Sequence, residues 1–239
     1  MKMEKLKETL GFNYNTEIES AYIITIKGHG LSESMSRRCA ESCEKVGMPY
    51  RILEAFNGTT GEITVPENLK DQNWVKWVKV VNEALALTEI CTVLSHVALW
   101  SHCVEIDRPV IALEHDAVVL QNFTHHPAFN AIIYLGSIEQ LQNNYWGSIP
   151  IHGQLNCNYR FCLRTHSYSV DPVMAKRLLS SIVKNGITTS IDVMLRSDIY
   201  TILQFGIFAY DQADGVSTAP EKDDKRKDAR LMRINNKIL

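Results

Sequence analysis

Pro109-Val110-Ile111-Ala112-Leu113-Glu114-His115-Asp116 is the stretch on which the fold turns. A proline leads into a short apolar run that is bounded by polar residues and too short to be a helix. It reads as a fully buried strand. Two acids, Glu114 and Asp116, follow at its C-terminal end, one residue apart. In an open α/β sheet, ligands bind in the crevice outside that end of the strands. Hard carboxylate oxygens there suit Mg²⁺ or Mn²⁺, and such a cation neutralises phosphate charge. The alternative is a pair of ordinary acidic turn residues, because position in a fold does not by itself assign function.

Just upstream, Thr88 to Ile106 reads TEICTVLSHVALWSHCVEI. Ile90, Val93, Leu94, Val97, Trp100 and Val104 recur at helical spacing, which predicts one helix with one buried stripe. Thr88 is the expected N-cap, Glu89 favours the first turn, and the helix should end near Asp107, before Pro109. Ser95 and His96 fall mid-helix. Adjacent helical positions diverge by roughly 100°, so this helix alone does not make them a nucleophile–base pair. A satisfied buried polar contact is the alternative for both.

Upstream again, Ala21–Ile26 is a continuous apolar strand and Lys27-Gly28-His29-Gly30 a turn. Ser32 is the expected cap of a helix to about Val46, with Gly47 ending it and Pro49 beyond. Tyr50–Phe56 reads as a second strand closed by Asn57-Gly58. A right-handed crossover makes the two strands parallel. Downstream, Ala131–Leu135 and Phe161–Val170 read as strands, with Gln140 to Gln154 a loop over the site. Pro172 opens a helix to about Lys184, Ile187–Leu195 leads into a further helical piece, and Phe205–Tyr210 is a late strand. Alternating strands and helices predict an α/β fold.

Composition narrows the classes. The 239 residues are 45% hydrophobic and 22% charged, with a formal net charge of −2. That is an ordinary globular balance with no global attraction to nucleic acid or an anionic membrane. No apolar run approaches the roughly 20 residues of a membrane span. The opening MKMEKLKETLGF lacks a hydrophobic signal core, and Met3, Leu6 and Leu10 could line a short amphipathic helix. The six cysteines (39, 43, 91, 103, 157 and 162) form no tight ligand pair. The expectation is therefore reduced thiols and a cytoplasmic protein, without structural zinc. Residues 220–239 are dominated by mixed charge and read as a solvated tail behind a single domain over 1–219. A patch for an anionic substrate is the alternative.

Taken in order, these blocks resemble glycosyltransferase family 25, which includes bacterial lipo-oligosaccharide and collagen galactosyltransferases. Arg37-Arg38, Val46-Gly47, Tyr50 and Ala55-Phe56-Asn57-Gly58 resemble its first strand–helix–strand unit. Leu94-Ser95-His96-Val97-Ala98-Leu99-Trp100 is similar to its "SHxxLW" helix, and Pro109 through Asp116 to its "P-x-x-I-L-E-D-D" strand end. Tyr134-Leu135-Gly136 matches a "YLG" element. Thr165-His166-Ser167-Tyr168 with Ala175 to Leu179 resembles "THAY…A-x-x-LL". Ile191-Asp192 resembles a following "(V/I)D", and Tyr210-Asp211-Gln212 with Ser217 the closing "P-x-x-x-Q…S". The likeness covers about residues 20–218. Two departures stand out. His115 takes the middle of a tripeptide that is usually E-D-D, and KGHGLSESMSRR replaces an Asn and an Asp-Arg-rich turn.

The resemblance implies a GT-A-like, Rossmann-type mixed sheet flanked by helices. It also implies inverting transfer of galactose or glucose from a UDP-sugar to a hydroxyl of a glycan or similar acceptor. On that footing Asp116 holds a Mn²⁺ or Mg²⁺, and Glu114 shares it or bonds the donor ribose. His115 either faces the pocket wall or adds a nitrogen ligand compatible with Mn²⁺. Asp192 is the first candidate for the base that takes the acceptor proton, and Asp211 the second. For Asp192 the alternative is a helix-start acid. His166 would bond the diphosphate or sugar, Tyr168 and Gln212 the donor sugar, and Ser95 and His96 belong to the same donor-binding set. Tyr145 and Trp146 could stack on an acceptor sugar. The partners the resemblance implies are a nucleotide-sugar donor and a hydroxyl acceptor, soluble or at the inner face of a membrane. Two other functions compete: a non-catalytic nucleotide-sugar or glycan-binding module, favoured by His115, and transfer to modified DNA bases, which the charge of −2 opposes.

Overall fold

The computed structural model describes residues 15–138, 153–154, 165–204 and 206–211. Its first unit is strand, helix, strand. Strand β1 (Ala21–Thr25) is buried along its whole length. Helix α1 (Gly30–Val46) ends on Gly47, whose φ of 67° is the left-handed conformation glycine adopts without strain. Strand β2 (Tyr50–Glu54) lies parallel to β1, with Ala21 opposite Tyr50. The cap of α1 is His29 and not Ser32: His29 Nδ1 accepts from the Ser32 N–H. Ser32 sits in the first turn, and its hydroxyl accepts from the Ile26 N–H at 2.9 Å. That amide lies just past the end of β1, so the serine reaches back to it.

Helix α2 (Leu87–Ile106) starts two residues earlier than expected. Ala86 is its N-cap, the Glu89 carboxylate accepts the Ala86 N–H at 2.9 Å, and Thr88 lies inside the first turn. It ends on Asp107 at φ 50°. A single buried stripe does not describe it, since every residue from Val93 to Trp100 is buried. Phe56, Val75, Val78 and Leu85 from the preceding segment join its core cluster, which removes the solvent face an amphipathic helix would keep. Gly58 belongs to that wrapping: a Cβ there would lie 2.8 Å from the Leu87 carbonyl carbon and oxygen.

The remaining strands are β3 (Val110–Glu114), β4 (Ala117–Val119), β5 (Ile132–Tyr134), β6 (Gly136–Ile138), β7 (Gly153–Gln154), β8 (Ser167–Val170), β9 (Ile202–Gln204) and β10 (Ala209–Asp211). The later helices are α3 (Pro172–Asn185) and the single turn α4 (Ile191–Met194). The main sheet runs β2-β1-β3-β8-β5-β9-β7, and a small sheet runs β4-β10-β6. β3 is parallel to β1, whereas β8 runs antiparallel to both β3 and β5. The result is the expected mixed α/β sheet. Within the described residues, the strand expected over 161–170 is Ser167–Val170, and that expected over 205–210 is replaced by β9 and β10. The loop over 140–152, Tyr145, Trp146, Gln212, Cys157, Cys162, the opening amphipathic stretch and the charged tail lie outside the described residues.

Strand pleating divides the core in two. Val110, Ala112, Ile132, Tyr134, Tyr168 and Val170 join α2 and α3 on one face. Ile111, Leu113, Ile133 and Leu135 join Cys39 and Cys43 of α1 on the other. Glu114 continues the Val110–Ala112 series towards α2, and His115 continues the Leu113 series towards α1. At the same end, β3 turns through His115-Asp116 into β4, and β5 passes through Leu135 into β6. β10 bridges these two extensions, placing Asp211 opposite Ala117 and Ile138.

Candidate active site

The C-terminal ends of β3 and β5 and the start of β8 meet at one edge of the sheet. The Glu114 N–H donates to His166 O at 2.9 Å, and the Leu135 N–H to Ser167 O at 3.1 Å. These bonds hold Thr165-His166 across the strand ends. His166 is buried against Gly136, where an added Cβ would lie 2.5 Å from its Nε2. Its ring meets Tyr134 edge-on, with centroids 6.2 Å apart. The glycine of the YLG element is therefore a steric requirement of the histidine.

Glu114 stands at the centre of this edge. Its side chain is 25% exposed, and Nε2 of His96 approaches Oε1 at 3.4 Å. Burial first, then the nearby charges of Asp192 and Asp211, push its pKa up to about 8. Asp192, from the first turn of α4, and Asp211, from the end of β10, thus share its electrostatic environment. Asp192 is held in place, since its Oδ1 accepts both the N–H of Thr165 at 2.8 Å and its hydroxyl at 2.7 Å. The cap of α4 is Ser190, so Asp192 is a first-turn acid that also faces the strand ends. Asp211 is buried.

The acidic tripeptide is divided between the two faces. His115 Nδ1 lies 3.3 Å from the Ser32 hydroxyl of α1. Burial, followed by nearby His29, lowers the His115 pKa to about 4, so the ring is neutral at pH 7. Asp116 is close enough to Cys39 of α1 to raise that thiol's pKa, behind the stronger effects of its hydrogen bond to Cys43, of burial and of the Cys43 charge. Glu114 faces α2, whereas His115 faces α1.

The two polar residues of α2 do different work. The Ser95 hydroxyl donates to Cys91 O at 2.7 Å and accepts the Phe56 N–H at 3.0 Å, tying the end of the first βαβ unit to α2. His96 lies between Tyr168, whose hydroxyl is 2.8 Å from Nδ1, and Glu114. Burial lowers its pKa to about 4. The spacing of Ser95 and His96 offered no sign that His96 reaches the strand end, because Tyr168 and Glu114 come from separate strands. Thr165 is a further site residue that the sequence reading left without a role. Its place beside His166 in the THSY segment was the available signal.

The donor set can be tested against a hard divalent cation. A strand end at which the charges of Asp192 and Asp211 disfavour ionisation of Glu114 has the right chemistry. Among the described residues, no three His, Cys, Asp or Glu side chains form a complete metal site. A cation here fits the Mg²⁺-like pattern of one or two carboxylates with the remaining ligands from phosphate and water. No described helix is long and apolar enough to cross a membrane.

No curated protein matches the sequence. Among solved structures, the chain is similar to the galactosyltransferase LgtC, determined in complex with donor and acceptor sugar analogs. Identity is 8%, coverage is 88% of this chain and 95% of that one, and the TM-score is 0.43. A likeness that loose decides neither fold nor chemistry. The family model described as glycosyltransferase family 25 (LPS biosynthesis protein) matches residues 20–147, a span that includes Ser95, His96, Glu114, His115 and Asp116. With more than half of its length matched, the chain belongs to glycosyltransferase family 25.

Proposed function

We propose that this protein is an inverting hexosyltransferase with a GT-A-like fold, moving galactose or glucose from a UDP-sugar to a hydroxyl of a glycan acceptor in the cytoplasm. The observation that carries the reading is Glu114. It is a carboxylate left at the strand ends beside Asp192 and Asp211, in a family of glycosyltransferases. Glu114 and Asp116 are the residues to hold a Mn²⁺ or Mg²⁺, which when bound would offset charge on the departing diphosphate. The acceptor oxygen attacks the anomeric carbon as the bond from that carbon to the diphosphate oxygen breaks. The acceptor proton passes to a carboxylate, Asp192 before Asp211. Thr165 supports that role by holding Asp192 through one oxygen. We assign His166, packed on Gly136, to the donor side and keep Gln212 as a proposed donor contact; Tyr168, fully buried with its hydroxyl against Trp100 and His96, stands behind the site and not against the donor.

A thermal-shift panel of UDP-galactose, UDP-glucose, UDP-N-acetylhexosamines and GDP-sugars, with and without Mn²⁺, tests this. A donor at 100 times its Kd should stabilise the native state by about 2.7 kcal/mol. A Mn²⁺-dependent shift with one UDP-hexose supports the reading, and the absence of a shift with every donor rejects it. One observation favours a second reading, a binding module without catalysis. His115 is neutral and bonded to Ser32, so it supplies no negative charge between the two acids. Donor binding without release of UDP, with any acceptor or water, would select that reading.

A further inference from the structure

Behind Glu114 runs a buried chain of polar groups. Nε1 of Trp100 donates to the Tyr168 hydroxyl at 2.8 Å, and the same hydroxyl is 2.8 Å from Nδ1 of His96. All three side chains are fully buried. An indole N–H can only donate, so the Tyr168 oxygen accepts from Trp100. Among the described residues, the phenol's own hydrogen then has His96 Nδ1 as its acceptor. The single proton of a neutral imidazole is thereby left on Nε2, which faces Oε1 of Glu114 at 3.4 Å. The His96 ring also stacks on Tyr168, with centroids 5.6 Å apart and planes 22° apart, which restrains its rotation. Resting on the reading of Glu114 as part of the donor and cation site, we propose that His96 is a positioning residue. The Trp100–Tyr168–His96 chain presents one N–H that orients the Glu114 carboxylate. His96 acts through Glu114 and need not touch the substrate.

The burial-lowered basicity of His96 agrees with this arrangement, because a neutral ring must accept at one nitrogen in order to donate at the other. Hydrogen-bonded partners behind metal ligands commonly change metal affinity or activity by about 10–100-fold when removed.

The test is a double-mutant cycle read by Mn²⁺ affinity, measured by electron paramagnetic resonance on the full chain with no sugar present. Glu114→Gln should weaken Mn²⁺ binding strongly. His96→Ala should weaken it about tenfold, and His96→Gln, which keeps a donor nitrogen, should recover most of the loss. In the Glu114→Gln background, His96→Ala should change nothing further, because its effect passes through the carboxylate. Melting temperature and circular dichroism are recorded for each variant. If His96→Ala does not fold, Tyr168→Phe keeps the ring and removes the oxygen, and a severalfold loss is expected. Equal effects of His96→Ala in both backgrounds, or no effect beside a strong one from Glu114→Gln, would overturn the positioning role and leave the site standing. Unchanged affinity in Glu114→Gln, or no Mn²⁺ binding by the wild type, would overturn both.

Discussion

Two buried histidines in this protein are built alike and do different things. His96 takes the Tyr168 hydroxyl at Nδ1 and points Nε2 at Glu114. His126 has the Ser169 hydroxyl 2.8 Å from Nδ1, and its Nε2 is 3.6 Å from Asp171. Tyr168 and Ser169 are consecutive on β8, so the pleat sends them to opposite faces of the sheet. The connectivity of Ser169, His126 and Asp171 resembles a nucleophile, base and acid. Yet all three are fully buried, and the Asp171 carboxylate is occupied. One oxygen accepts the Met174 N–H at 2.7 Å, capping α3, and the other accepts the Ala131 N–H at 3.1 Å. Glu114 has no such backbone donors among the described residues, and it shares its end of the sheet with Asp192 and Asp211. A histidine between a hydroxyl and a carboxylate is therefore poor evidence of a site. A carboxylate left short of donors at the strand ends is better evidence.

That contrast breaks if the two networks respond alike. The largest effect is expected from Asp171→Ala, which strips a helix cap and leaves two buried amides without their acceptor. It should lower unfolding free energy by about 3–5 kcal/mol, read by denaturant titration. Next comes Ser169→Ala, expected to cost about 1–3 kcal/mol by leaving a buried ring nitrogen unpaired. Donor-induced thermal shifts should survive it, and a loss of donor binding would mean that the His126 network reaches the site. Gly136→Ala should cost about 1–3 kcal/mol by overpacking His166, and unlike Ser169→Ala it should also impair transfer.

At about pH 4.5 and below, where Glu114 is protonated in both states, the smallest effect on stability is expected from Glu114→Gln, and it sharpens the comparison through pH. The Glu114 pKa is raised on folding, so the native state holds its proton where the unfolded chain has released it. Without added metal, wild-type stability should therefore fall as pH rises from about 4.5 to about 8 and level off above. Glu114→Gln should lack that component. Superimposable pH–stability curves for the two proteins would remove the electrostatic argument for the site.

Much of the frame was legible in the chain. The apolar run before Glu114, the glycine ending α1 and the proline opening α3 each act locally, through burial or backbone geometry. Local signals erred by a residue or more where two candidates competed. Ser32 was the natural cap of α1, but the Ile26 amide left over at the end of β1 took its hydroxyl, and His29 capped the helix instead. The spacing in α2 showed one buried stripe, but burial of the whole central stretch depends on Val75, Val78 and Leu85, which lie far from any helical period.

The sequence by itself determined the alternation of strands and helices, the strand that ends in two acids, and a set of motifs specific enough to name a family. These follow from short-range physics: side-chain period, turn conformation and the burial of apolar runs. Which polar residues meet was decided only by the tertiary structure. β8 enters antiparallel between β3 and β5, bringing Thr165 and His166 to the edge where Glu114 emerges. β10 pairs between β4 and β6, carrying Asp211 to the same place. Glu114 senses the charge of Asp211, nearly a hundred residues away in the chain, while Asp116, two residues from Glu114, acts on Cys39 of α1. Strand order and register set those distances, and no local pattern in the chain encodes them.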